Sequence, residues 1–227
     1  TPGQIKLDVT GSDSSLVWQG ATNNTWTVLG PSNWLNAGNP DVFNEGDAVT
    51  FDGSASNFNV ALTTTVYPAS ITINGDTNYS ITGSGSGHIS GGTAITKNGN
   101  GTTLLLGGSG GPNDYTGPVQ INGGILKLNG ANALGATNGG TTVASGATLD
   151  LNGYEPSFEP LSLQGTGFGA TNGALMNSGG GLGSGLRHAT LLADTLLNSP
   201  GRFDFGNNGQ PGGSFRRSRR PVSPGLQ

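Results

Sequence analysis

Short runs of alternating apolar and polar residues dominate the chain and predict β-strands. The segments Ile125–Leu128 and Thr148–Leu151 each turn every second side chain to one side, and both are followed by Asn-Gly. Such alternation is typical of a strand with one dry face and one wet face. Asn-Gly tolerates the left-handed backbone that a tight turn needs. The pattern therefore predicts many short strands separated by turns.

The runs return at a nearly constant interval, and this repeat predicts how the strands are arranged. One series is spaced by 24 residues and a second by 22 or 23; they comprise Ile71, Ile95, Val119 and Val143, and Ile81, Leu104, Leu126 and Leu149. A four-residue strand is not stable alone, but strands stacked about 4.8 Å apart share hydrogen bonds and bury a continuous interior. We therefore predict an all-β, parallel β-helix (solenoid) with rungs of about 23–24 residues, right-handed by the general rule for parallel crossovers.

Two neighbour relationships test this prediction. Ile95 should lie beside Val119 inside the coil, and Lys127 should lie beside Asp150 on the outside, as an exposed ion pair worth about 0.2–1 kcal/mol. The alternative is an antiparallel sandwich of hairpins closed by Asn-Gly turns. A sandwich does not require chemically similar strands at a fixed interval, so the repeat favours the β-helix.

The chain divides into three predicted regions. Residues 1–46 form an N-terminal strand and a Trp-rich cap, residues 47–205 form the β-helix rungs, and residues 206–227 form a Gly/Pro/Arg-rich tail. The strand is expected at Gln4–Val9, and the tail is expected to be solvated. A solenoid exposes its first rung, and the three tryptophans spaced by eight residues could cover it. The competing interpretation is a sugar-stacking platform. The tryptophans are Trp18, Trp26 and Trp34.

Composition and charge exclude several classes of protein. There are 43 Gly, no Cys and two His among 227 residues, which excludes disulfides and thiolate metal sites and leaves no cofactor or metal expected. Residues 1–215 carry 5 basic against 13 acidic residues, a net charge of −8, so nucleic acid is an unfavourable partner. No run approaches the roughly 20 apolar residues of a membrane helix, so no membrane span is expected in this chain.

One stretch of the internal repeat resembles a known family. The segment Ile95–Gly107 reads ITKNGNGTTLLLG, and it is followed by Asn113–Gly117 (NDYTG), Ile121–Gly124 (INGG) and Leu126–Leu128. These motifs resemble the autotransporter-associated β-strand repeat, also called the passenger-associated transport repeat. The resemblance implies a right-handed β-helical passenger or adhesin-type segment of a secreted or surface-exposed bacterial protein, where the repeat aids export and surface display. It implies no chemistry of its own.

An enzyme is the alternative from another class, because parallel β-helices often bind polysaccharides along an outer groove. Glycoside hydrolysis needs two carboxyl groups about 5–9.5 Å apart. The proline-broken loop Tyr154–Pro160 supplies Glu155 and Glu159, and loops that leave a scaffold concentrate function. In this alternative, Glu155 and Glu159 are catalytic, the three tryptophans and Tyr154 bind carbohydrate, and the partner is a polysaccharide or cell-surface glycan.

A serine hydrolase has weaker support. Gly107–Gly111 fits the G-x-S-x-G pattern with Ser109 as nucleophile, and His88 or His188 could act as the base. In so glycine-rich a chain the match is nearly uninformative. Turn-forming residues also follow Ser109 where the motif requires a helix, so both histidines are expected to be ordinary surface or turn residues.

Overall fold

The computed structural model describes residues 13–107, 110–156, 158–182, 186–198, 200–202 and 214–217, and in these residues the chain is almost entirely β-structure and turns. One short 3-10 helix spans Phe168–Ala170. The strands are β1 Ser15–Trp18, β2 Thr25–Trp26, β3 Trp34–Asn36, β4 Asn39–Asp41, β5 Ala48–Phe51, β6 Asn59–Leu62, β7 Ser70–Ile73, β8 Tyr79–Gly83, β9 Ala94–Lys97, β10 Thr102–Leu106, β11 Val119–Ile121, β12 Gly124–Asn129, β13 Thr141–Val143, β14 Ala147–Asp150, β15 Leu161–Gly165, β16 Leu175–Met176, β17 His188–Thr195 and β18 Ser214–Arg217.

The described strands form two sheets in which successive rungs stack in parallel. The larger sheet runs β18-β17-β15-β13-β11-β9-β7-β5-β1-β3-β4, and the smaller runs β16-β14-β12-β10-β8-β6-β2. From β5 to β17, strands adjacent in a sheet are separated in sequence by one strand of the other sheet, so this part of the chain alternates between the two walls of a coil. The predicted parallel β-solenoid is confirmed, and the antiparallel sandwich is wrong.

Both predicted neighbour relationships are present. Ile95 and Val119 are direct partners on β9 and β11, and both are fully buried. Lys127 and Asp150 are direct partners on β12 and β14. Repeating side chains are therefore stacked on one another along the coil, as the interval in the sequence predicts.

Two details of the predicted register are wrong. Val119 pairs with Thr141, and Val143 pairs with Ile121, so the 24-residue step shortens after β11. In the second series the partner of Ile81 is Leu105, whereas Leu104 pairs with Ser80 on the outer face. Since side chains alternate between the two faces of a strand, a shift of one residue moves a leucine from the core to the surface.

The side chains of the interior, most of them aliphatic, are stacked in columns that run from rung to rung along the coil. Because the strands are in register, each buried side chain packs between its equivalents in the rungs on either side. Two such columns in the larger sheet are Leu16, Val49, Ile71, Ile95, Val119, Thr141, Leu161 and Ala189, and Phe51, Ile73, Lys97, Ile121, Val143, Leu163 and Leu191. The second column contains a lysine.

Asn-Gly turns allow the close stacking of rungs in two different ways. At Asn152 and Gly153 both residues have positive φ, 49° and 81°, as the turn interpretation requires. At Gly99 the reason is close approach, because a Cβ there would overlap the carbonyl oxygen of Gly75 in the previous rung. Glycine is therefore required at this position by backbone-to-backbone contact between rungs.

The N-terminal region contributes to both sheets. Strands β1 and β2 pair in parallel with β5 and β6, while β3 and β4 add antiparallel strands at the edge of the larger sheet. The strand predicted at Gln4–Val9 lies outside the described residues. At the other end, β18 lies within the predicted solvated tail but pairs in parallel with β17, so this part of the tail adds a further strand to the sheet.

Candidate functional site

A pocket lies where two loops leave the coil on the same side. The loop between β12 and β13 and the loop between β14 and β15 together enclose a cavity of about 210 Å³. It contains both glutamates singled out in the sequence, an aromatic ring and several small or apolar groups. The lining residues are Ala131, Asn132, Leu134, Gly135, Thr137, Glu155, Pro156, Phe158 and Glu159. The two glutamates named from the sequence therefore border one cavity, and the loop between β12 and β13 forms a part of its wall that was not predicted from the sequence.

Glu159 is the most unusual side chain of the pocket. Its side chain is almost completely buried, with 4% exposure. The hydroxyl of Thr141 donates a hydrogen bond to Glu159 Oε1 at 2.7 Å, whereas Oε2 is buried without a hydrogen-bond partner. Burial raises the pKa of Glu159 to about 7, although the Thr141 hydrogen bond favours the ionised form. This carboxyl group is thus able to gain or lose a proton near neutral pH.

The other residues of the loop are placed differently. Glu155 lines the pocket together with Glu159. Tyr154 is 37% exposed but is not part of the pocket wall. Phe158 is 54% exposed, and the guanidinium of Arg187 lies 4.4 Å from the centre of its ring. Of the predicted carbohydrate-binding aromatics, Tyr154 is therefore accessible, and Phe158 is an accessible ring that the sequence prediction did not name.

The three tryptophans are core residues. Trp18, Trp26 and Trp34 are at most 1% exposed. Trp34 contacts both other indoles, with ring centres 5.0 and 5.3 Å apart in edge-to-face geometry, and all three pack around Phe51. Sugar stacking requires an exposed ring face. The rings present none in this structure, and their arrangement is that of an aromatic cluster filling the first rungs.

The residues considered for a serine-hydrolase triad do not form one in the described residues. Ser109 lies outside them. His88 Nδ1 lies 2.8 Å from the carbonyl oxygen of Ser86, which requires Nδ1 to carry the proton, and Nε2 lies 3.8 Å from Asp114. A catalytic base needs its free nitrogen directed at a nucleophilic hydroxyl, whereas Nε2 of His88 faces the carboxylate of Asp114. His88 is instead held in a turn, and His188 is an exposed residue at the start of β17.

Asp150 is more buried than its predicted role as an exposed ion pair implies. It lies 3.6 Å from Lys127 Nζ and is only 3% exposed. Ser178 covers it, donating hydrogen bonds from its backbone N to Oδ1 at 2.9 Å and from its hydroxyl to Oδ2 at 2.6 Å, and the backbone N of Asn152 also donates to Oδ1. Asp150 therefore links the turn at Asn152 and the turn at Ser178 to strand β14 through hydrogen bonds.

Lys97 is a buried cation that the sequence prediction missed. It is fully buried in the column between Ile73 and Ile121, and its ammonium group donates hydrogen bonds to the carbonyl oxygens of Gly99 and Gly123. Burial lowers the pKa of Lys97 to about 8, and the nearby Asp76 opposes this effect. The signal was present in the sequence, because aligning the repeats places Lys97 in the position of Ile73 and Ile121.

Neither a metal centre nor a membrane helix is found in the part of the chain that the structure describes. No three His, Asp or Glu side chains cluster there in a way that could hold a metal ion. No described helix has the length and apolar character needed to cross a bilayer. The pocket beside Glu159 is therefore the site at which we consider ligand chemistry.

Comparisons with known proteins add no further assignment. No protein-family model, no curated protein and no solved structure matches this chain. The fold defines the chain as an all-β parallel solenoid. Its resemblance to the autotransporter-associated repeat, its handedness and its location remain predictions.

Proposed function

We propose that the chain is a stiff, non-enzymatic β-solenoid segment of a secreted or surface-exposed bacterial protein, of the passenger or adhesin type, and that it aids export and surface display. The observation that carries this proposal is the unbroken parallel pairing from β1 through β17 in the larger sheet, with side-chain columns that cross every rung. We expect such a body to transmit force along its axis and to resist proteolysis.

The way the rungs are connected suits folding during export. Each rung finds its hydrogen-bond partners in the rungs immediately before and after it, and stability in such a solenoid is roughly a sum of rung and neighbour terms. A chain that emerges progressively from a membrane can therefore add one rung at a time. The stretch that resembles the transport repeat forms β9 to β12, in the middle of this stack, and the resemblance supports the same role.

Surface display of matched variants tests the proposal. The full chain would be placed between a secretion signal and an outer-membrane translocator in a bacterium, and display would be measured by antibody labelling and protease treatment of intact cells. Val119→Asp places a charge inside the coil, whereas Gln120→Asp places the same charge on the outer face of the same strand. We expect display to fall severalfold for Val119→Asp and to be unchanged for Gln120→Asp, because an unpaired buried charge prevents stacking.

Two results would contradict the proposed role. Display of Val119→Asp at the level of the parent chain would mean that export does not use the folded coil. Display of the parent chain no better than that of a flexible Gly/Ser segment of equal length would mean that the chain is merely tolerated by the export route.

A polysaccharide-active enzyme is the second candidate, favoured by one specific observation. Glu155 and Glu159 line the same pocket, and the pKa of Glu159 is about 7, which suits a general acid. A reducing-sugar assay on a panel of polysaccharides would detect turnover. Activity that disappears in Glu155→Gln and Glu159→Gln would support the enzyme, and the absence of turnover in the parent chain would reject it.

A further inference from the structure

The pocket beside Glu159 contains a polar atom that the protein itself leaves unsatisfied. Glu159 Oε2 is buried without a hydrogen-bond partner, while Thr141 satisfies Oε1. A buried polar atom without a partner is costly, and native proteins rarely tolerate one without a functional or ligand-related reason. Glu159 is also part of the pocket wall, and because Oε2 has less than 1 Å² of exposed surface, a donor in the pocket reaches it only if the Glu159 side chain turns toward the cavity.

The chemistry of the pocket wall indicates what kind of donor fits. Its lining residues include two carboxyl groups and no basic side chain. Leu134, Pro156 and Phe158 supply an apolar wall. A carboxylate in such surroundings is stabilised most by a donor that also carries positive charge, because charge-assisted hydrogen bonds are about twice as strong as neutral ones. The acidic body of the protein attracts cations to this surface as well.

We propose that this pocket binds a primary ammonium group carried on a small, partly apolar molecule, with Glu159 Oε2 as the principal acceptor. The cavity of about 210 Å³ is smaller than typical drug-sized sites of roughly 300–1,000 Å³, so it suits an aliphatic amine or the end of a lysine side chain. The aliphatic part would pack against Leu134 and Phe158. This inference is independent of the proposed spacer role, since a structural segment can also carry a ligand pocket.

The protonation state of Glu159 gives the binding a characteristic pH dependence. The charged and titratable groups around the pocket are Glu155 in its wall, Arg187, whose guanidinium lies 4.4 Å from the centre of the Phe158 ring, and Tyr115. Tyr115 is fully buried, and its pKa is raised by burial and by the charge of Glu159. Tyr115 therefore stays neutral in the physiological range. Only ionised Glu159 attracts an ammonium group, and with a pKa of about 7 its ionised fraction rises about tenfold between pH 6 and pH 8. An alkylammonium ion remains charged throughout this range.

Calorimetric or NMR titration of the full chain tests the inference with matched probes. n-Butylammonium and n-butanol have nearly the same shape and differ in charge, Nα-acetyl-lysine amide represents a peptide source, and methyl glucoside represents a neutral sugar. We expect n-butylammonium to bind about tenfold more tightly at pH 8 than at pH 6 and n-butanol to bind at least tenfold more weakly. Binding of the lysine derivative would identify a lysine-bearing peptide as a possible source, whereas binding of n-butylammonium alone would indicate a free amine.

Three variants distinguish binding in the pocket from an effect of the protein's overall charge and from loss of the folded structure. Glu159→Gln removes the charge but can still accept the hydrogen bond from Thr141, and Ala131→Leu narrows the pocket without a charge change. Both should weaken binding of n-butylammonium at least tenfold. Glu45→Gln removes one exposed negative charge elsewhere and should leave the affinity within twofold. Circular dichroism and thermal unfolding of each variant would verify that it is folded.

Several results would overturn the inference. It fails if no ammonium probe binds to the parent chain, if Glu159→Gln or Ala131→Leu binds as tightly as the parent in a folded state, or if Glu45→Gln weakens binding as much as Glu159→Gln. It also fails if methyl glucoside or n-butanol binds as tightly as n-butylammonium, because the pocket would then recognise shape or hydroxyl groups and not charge.

Discussion

The side-chain amide of Asn98 donates a hydrogen bond to the side-chain oxygen of Asn74, which lies 24 residues earlier in the chain, at 2.8 Å. Asn122 donates in the same way to Asn98 at 2.9 Å. The three asparagines of the Asn-Gly turns thus form a ladder along the outside of the coil. Because all three are exposed, the ladder contributes to stacking where no apolar burial is available, and it links three successive turns.

The ladder makes a quantitative prediction, because its members have different numbers of bonds. Asn98 has two neighbours in the ladder, whereas Asn74 and Asn122 have one each. At about 0.5–1.5 kcal/mol per hydrogen bond, Asn98→Ala should lower the free energy of unfolding about twice as much as Asn74→Ala or Asn122→Ala. Denaturant unfolding would measure the three values. Asn138→Ala, at an exposed Asn-Gly outside the ladder, is the control and should change stability by less than about 0.5 kcal/mol.

Much of the fold follows from the spacing of apolar residues alone. The columns through Ile71, Ile95 and Val119 could be predicted because the repeats there are equal in length. The prediction was wrong at Val143, because the step from β11 to its partner β13 is 22 residues, two fewer than the 24-residue repeat. It was also wrong at Leu104, because three consecutive leucines carry no alternation to distinguish the inner face from the outer.

Less of the candidate site than of the fold could be predicted from the sequence. The proline-broken loop is visible in the sequence as a departure from the regular repeat, and Glu155 and Glu159 within it line the pocket. Their catalytic role stays a prediction. The hydrogen bond between Thr141 and Glu159 depends on how the loop after β14 folds back over the preceding strand β13, which no local pattern encodes. The role of Trp34 was also open, because an indole in an irregular segment suits a core and a sugar platform equally well.

The burial of Asp150 predicts that Asp150 contributes more to the stability of the protein than its ion-pair partner Lys127. Asp150→Ala removes three hydrogen bonds to an ionised acceptor and should destabilise the protein by about 1.5–3 kcal/mol or more. Lys127→Met removes a partly exposed charge at 3.6 Å and should cost less than about 1 kcal/mol. Thermal or denaturant unfolding of both variants provides the comparison. Equal losses would mean that Lys127, through the ion pair and its own hydrogen bond to the Ser178 hydroxyl at 3.0 Å, contributes as much as the three hydrogen bonds that Asp150 accepts.

The aromatic cluster predicts that the tryptophans stabilise the first rungs. Trp34→Ala removes a buried indole that contacts Trp18, Trp26 and Phe51, and it should cost about 3–5 kcal/mol. Tyr154→Ala removes a partly exposed ring and should change stability by less than about 1 kcal/mol. Chemical unfolding followed by tryptophan fluorescence measures both. A small effect of Trp34→Ala would show that the cluster is not a structural core, and would reopen its role in binding.

The buried ammonium group of Lys97 predicts how stability depends on pH. Its pKa is about 8 in the folded protein and near 10.5 when it is exposed on unfolding. Between these values the unfolded chain holds a proton that the folded chain has lost, so stability rises with pH across this window and is lowest, for this group, below pH 8. The increase should reach at most about 1.4 kcal/mol per pH unit, and unfolding by urea at several values between pH 7.5 and pH 9.5 would measure it.

Lys97→Met is the variant that isolates this effect. Methionine fills a similar volume without a charge, so the free energy of unfolding of the variant minus that of the parent should decrease as pH rises from 7.5 to 9.5. Other titrating groups cancel in that difference, and the upper limit avoids the ionisation of tyrosines in the unfolded chain. A difference that stays constant with pH would mean that Lys97 titrates alike in both states. In that case the two carbonyl oxygens of Gly99 and Gly123 would offset the loss of solvation completely.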